Sequence, residues 1–170
     1  MVVATSTSAH PVQALGTARL NPIHDSLVVL DAELPGLQTL LTGLQEGVAF
    51  LLVPSDEDAL TLITASLEQY NVRHLALVAH GLAGQLLLGR GGLDTTKLTA
   101  EAQRLAAWQV DQIDLYACHV GKDPLFSQQL AFHTGATVSS SSGIVGHQSR
   151  GGSWFLSEQQ GAIPFSPELL

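Results

Sequence analysis

Short, unbroken aliphatic runs recur along this chain, and segments of helical spacing fill the gaps between them. The runs are SLVVLD (26–31), VAFLLV (48–53), RHLALVA (73–79) and QIDLYA (112–117). A strand buried on both faces reads as continuous apolar sequence, whereas a half-exposed strand alternates. After the first run, LPGLQTLLTGL (34–44) places leucine at 34, 37, 40, 41 and 44, and Gly43 or Gly47 ends that helix. After the second, SDEDALTLITASLEQY (55–70) opens on Ser55 as an N-cap with acids in the first turn. DTTKLTAEAQRLAAW (94–108) is a third helix, and DPLFSQQLAFHTG (123–135) a fourth, with Pro124 at its start and Gly135 past its end. ATVSSSS (136–142) is a weaker fifth strand, QLLLG (85–89) a short extra one, and GGSWFLSE (151–158) alternates as an antiparallel sixth. Strand and helix in strict alternation predict an α/β domain with a mostly parallel sheet of five or six strands, covered on both faces.

At 170 residues the chain fits one domain, read as 26–158, with a loosely ordered leader over 1–25 and a tail over 159–170. It is 45% hydrophobic and 5% aromatic, so its core is aliphatic. A net charge of −8, without any Lys/Arg run, argues against nucleic acid and anionic lipid as partners. The apolar runs are too short to span a bilayer, and residues 1–20 lack the basic and apolar regions of a secretion signal. The lone Cys118 excludes an intramolecular disulfide. The compartment stays open, as does the reading that this is a module of a longer protein.

Two strands stop on reactive side chains. LALVAHGLAG (75–84) delivers His80, and IDLYACHVG (113–121) delivers Cys118, 38 residues later. That interval holds one helical crossover, which places two parallel strands side by side or one apart. Neighbouring parallel strands lie about 5 Å apart, so both residues belong on one rim. A thiolate is a working nucleophile, and an imidazole beside it takes its proton. The amides of Gly81 and Cys118 are candidates to hold the oxyanion of a tetrahedral intermediate.

The strand-His-Gly and strand-Cys pair, in this order, resembles the caspase-like cysteine peptidase superfamily (clan CD). LVVLD, LALVAHGLAGQLLLG, IDLYACHVG, HTGATVSSSSGIVG and GGSWFLS, spanning about 26–158, are more narrowly similar to a bacterial domain of unknown function found near the N-terminus of large surface or adhesin-like proteins. The resemblance implies a doubly wound three-layer α/β sandwich of strand order 2-1-3-4-5. It also implies His80 as base, Cys118 as nucleophile and Gly81 at the oxyanion site. The sequence departs from the caspase pattern Gln-Ala-Cys-x-Gly, keeping only Ala117-Cys118 and delaying the glycine to Gly121. The implied function is a cysteine endopeptidase of peptide or protein substrates, possible also as self-processing. The alternative is an inactive recognition or assembly module of a bacterial surface protein. Neither needs a metal or organic cofactor.

Other residues carry weaker signals. Arg150 or Arg90 is a candidate to select an acidic substrate side chain, and Ser141, within SSSSG (139–143), to line the pocket. Asp114 is a candidate to orient His80, with a strand-edge acid as the plainer reading. His119 alternates away from Cys118. A metal site from His80, Cys118 and His119 lacks CxxC or HxxxH spacing. His147 lies in a loop near the rim and is assigned no role. GRGG (89–92) closes a turn, since no GK[ST] follows it. Trp154 reads as core, with a groove wall as the alternative, and Asp31 as a polar rim residue or helix cap.

Overall fold

A computed structural model describes residues 2–5, 10–12, 25–157 and 163–166. Its central sheet is built from β3 (Ser26–Asp31), β4 (Ala49–Val53), β5 (His74–Val78), β8 (Gln112–Tyr116) and β9 (Thr137–Ser139). These five strands are parallel and lie in the order β4-β3-β5-β8-β9, which is the expected 2-1-3-4-5. The antiparallel edge comes from elsewhere than expected. β1 (Val2–Thr5) pairs antiparallel with β4, and β2 (His10–Val12) with β1, so the segment read as a loose leader supplies it. GGSWFLSE makes no strand, only single bridges from Ser153 to Val145 and from Ser157 to Ser140. QLLLG does form a strand. β7 (Gln85–Leu87) folds back on β6 (His80–Leu82) as a separate hairpin.

Alternation along each strand divides the interior in two. Leu27, Val29, Leu51, Leu75, Leu77 and Leu115 face one side. There they meet Leu60 and Ile63 of α2 (Ala59–Gln69), Leu98 of α3 (Thr95–Ala100), Leu105 of α4 (Ala102–Ala106), and Phe126 and Leu130 of α5 (Pro124–Thr134). Val28, Leu30, Phe50, Ala76, Val78 and Tyr116 face the other side. α1 (Leu37–Thr42) covers it with Leu37, Leu40 and Leu41, joined by Trp154, Leu156 and Phe165. The result is a three-layer sandwich. Phe165, in the segment read as a tail, is fully buried, with its ring centroid 5.0 Å from that of Trp154 and 5.7 Å from that of Tyr116.

Helix boundaries follow local chemistry. Asp58, not Ser55, caps α2 by accepting the Thr61 N–H at 2.9 Å, while the Ser55 hydroxyl turns to Glu33. The helix expected over 94–108 breaks at Glu101 into α3 and α4. α5 starts on Pro124 behind an Asp123 cap, and Gly135 ends it at φ 75°, where a side chain would be strained.

Candidate functional site

Ligands of open α/β sheets bind beyond the carboxyl ends of the strands, where the order reverses. Here the chain runs from β3 outward to β4 and then returns to the other side of β3 as β5. At that end lies a cleft of about 440 Å³. After β3, Leu34, Pro35, Gly36, Thr39 and Leu40 form one wall. Val78, Ala79 and His80 enter from β5, and Tyr116, Ala117 and Cys118 from β8. Ile144, Val145, Gly146, His147, Arg150 and Trp154, from the loop after β9, close the opposite side.

His80 and Cys118 therefore reach one cleft. The strands that carry them are adjacent, with Val78 paired to Tyr116 and the Ala79 N–H donating to the Tyr116 carbonyl at 3.3 Å. Gly81 packs onto the cysteine's own backbone. A Cβ there would lie 2.6 Å from the Cys118 carbonyl oxygen and 2.7 Å from Val120 Cγ2, so only glycine fits without displacement. Gly81 sits opposite Leu86 in the hairpin, yet Leu86 exchanges both its backbone hydrogen bonds with Leu93. The Gly81 N–H is thus not spent on β7, but Gly81 itself is not among the residues that line the cleft. The Cys118 N–H has no acceptor among the described residues.

The thiol itself is engaged by the loop. The Val145 N–H donates to Cys118 Sγ at 3.4 Å, and the Val145 carbonyl lies 3.8 Å from the sulfur as acceptor. His80 is exposed and its ring has no hydrogen-bond partner among the described residues. His119 lies outside the cleft, in the left-handed conformation at φ 63°, uncommon for any residue but glycine. Its N–H donates to the Gly143 carbonyl at 2.8 Å, and its Nδ1 donates to the Ser142 carbonyl at 3.1 Å. Those bonds hold the turn that presents Cys118.

The remaining candidates separate. Arg150 lines the cleft, while Arg90 is exposed elsewhere, its N–H on the Glu57 carbonyl. Ser141 lies in a different hollow with Ser127, Ser140 and Ser157. Asp114 does not reach His80. It is 0% exposed, its Oδ2 lies 2.7 Å from His74 Nε2, and its Oδ1 accepts from Gln112 Nε2 at 2.6 Å. Asp31 caps its own turn by accepting the Glu33 N–H. Trp154 fills both readings, 8% exposed yet lining the cleft. GRGG closes a turn, with the Gly92 N–H on the Gly89 carbonyl. No group of three metal-ligating side chains occurs among the described residues, and no helix among them is long and apolar enough to cross a membrane.

A family model described as Domain of unknown function (DUF4347) matches residues 27–169. The chain belongs to this family. No curated protein and no solved structure matches it. In this DUF4347 domain the strand-end residues were legible from sequence, but two contributors to the cleft were not. The Val145 backbone arrives, beside His147, on a long return loop whose path no local pattern specifies. The Pro35-Gly36 turn joins them from a segment that reads only as a helix start.

Proposed function

We propose that this domain is a cysteine endopeptidase of the caspase-like type, with His80 as base, Cys118 as nucleophile, and the Gly81 and Cys118 amides as oxyanion donors. One observation carries the reading: a thiol and an imidazole from adjacent parallel strand ends line a single open cleft. In the reaction, His80 takes the thiol proton as sulfur bonds to the scissile carbonyl carbon. The carbonyl electron pair moves to oxygen, toward the two amides. Collapse of that intermediate breaks the C–N bond, and the imidazolium returns the proton to the departing amine. Water then adds to the thioester, His80 accepting its proton, and the peptide acid leaves as the thiol reforms. Arg150 belongs to the substrate-binding wall. Ser141 is proposed at most as a contact for substrate extending beyond the cleft.

A second reading, an inert recognition module, rests on the resting contacts of the thiol. Both are to Val145, and no side chain among the described residues hydrogen-bonds the His80 ring. Intact mass over time, for wild type and Cys118→Ala with a peptide library present, separates the two. A peptidase shows new peptide termini, or self-cleavage, in wild type alone. Identical spectra for the two proteins assign the domain to the second reading.

A further inference from the structure

His80 opens the β6–β7 hairpin, and that hairpin has two unlike faces. Opposite residues of an antiparallel pair point the same way, and successive residues point apart. His80 pairs with Leu87 and Leu82 with Gln85, so these four share one side, while Gly81 and Leu86 share the other. The second side is packed. Leu86 and Leu88 are fully buried there, and Gly81 abuts Val120 and Ala117. The first side is open, yet it carries Leu82 at 53% and Leu87 at 37% exposure beside the exposed His80. A hairpin with one face in water ordinarily places polar residues on that face. Leu87 stands directly across from His80, with Cβ atoms about 5 Å apart, and Leu82 lies about 7 Å along the same face. Single exposed leucines are ordinary, but two that bracket one imidazole make an apolar surface continuous with the cleft that His80 lines. None of the four residues is acidic or basic apart from His80 itself, on a molecule of net charge −8, so this strip offers an ionic side chain no fixed counter-charge.

The reaction chemistry fixes which half of a peptide meets that surface. An imidazole that returns a proton to the departing amine stands on the amine side of the scissile bond. The hairpin continues outward from His80, so it borders the residues that follow that bond. We infer that the outer face of the hairpin seats a large apolar side chain of the substrate on Leu82 and Leu87, within the first two residues after the scissile bond. This substrate class rests on the peptidase reading above. The fragment released by cleavage therefore has an apolar amino-terminal end.

The test measures binding apart from cleavage. Short peptides with a free amino terminus mimic the released fragment. One carries leucine at its first two positions, a second carries serine there, and a third carries the same leucines at its last two. Each is titrated against full-length Cys118→Ala by fluorescence anisotropy. The first binds tighter than the other two by about tenfold, the scale of one partly buried leucine. Leu82→Ser combined with Leu87→Ser removes that margin, and because both positions are exposed the unfolding midpoint stays in place. Equal binding of the first and second peptides, no binding at all, a third peptide as tight as the first, or a margin that survives the double substitution overturns the inference. Wild type, with its cysteine, is incubated alongside with a random peptide library, and the new amino termini are read by mass spectrometry. Leu, Ile, Met and Phe are enriched at the first two positions after the cut, and the double variant still cuts but loses the enrichment. Cleavage without that enrichment removes only this inference, whereas selective binding without any cleavage removes the peptidase reading alone.

Discussion

Gly81 is the residue on which the site's geometry turns. The bulk of its neighbours Cys118, Val120 and Ala117 leaves no room for a methyl group, so the His80 and Cys118 segments touch through backbone. Gly81→Ala is expected to destabilise the fold by about 1–3 kcal/mol, the usual range for overpacking, and to shift His80 relative to the sulfur. Urea denaturation reads the first effect and the alkylation rate of Cys118 the second. An unchanged midpoint would mean that the contact is looser than described. Asp114 shows where single-residue inference stopped. Its position in an apolar run gave no sign of its partners: His74 is brought to it only by strand pairing, and Gln112 reaches it from two residues back on the same strand.

Among the elements, α2 depends on one carboxylate. Asp58 accepts the Thr61 N–H and hydroxyl, and binds Lys97 of α3 at 2.8 Å and Arg104 of α4 at 3.5 Å. Partial burial pushes its pKa up, but the hydrogen bonds from Lys97 and Thr61 outweigh it and hold the carboxyl near about 2, below its usual 3.8. A lowered folded-state pKa gives stability that is complete above the ordinary value and is lost as pH falls toward 2. Asp58→Ala therefore costs about 1 kcal/mol at neutral pH, as for other N-caps, and flattens the pH dependence of stability between 4 and 2. Thermal unfolding of both proteins across that window checks the sign; an equal acid-induced loss in the two would refute it. The same interaction explains why Ser55 was the wrong cap to expect. Both residue types suit a cap, but the helix starts at Ala59, where Asp58 takes the Thr61 N–H and hydroxyl and is joined by Lys97 and Arg104 of later helices.

For the molecule as a whole, legibility followed range. The four inner parallel strands were readable, because burial on both faces writes itself into nearly every residue of such a strand, while their order was what the family resemblance implied. The antiparallel edge was not, since β1 and β2 pair through backbone groups that sequence does not display. The third layer was also hidden. Phe165 completes it from far along the chain, buried against Tyr116 and Trp154 beside the cleft. Phe165→Ala is expected to remove about 3–5 kcal/mol, read by denaturant midpoint, as for other large aromatic deletions from cores. A loss under about 1 kcal/mol would place Phe165 outside the cooperative unit.

Pairing of His80 with Cys118 across the cleft is tested most directly by iodoacetamide alkylation at neutral pH, followed by intact mass. The single cysteine makes the signal unambiguous. His80→Ala, at an exposed position, should leave the unfolding midpoint in place and slow alkylation by about tenfold or more. Equal rates in the two proteins would contradict the account.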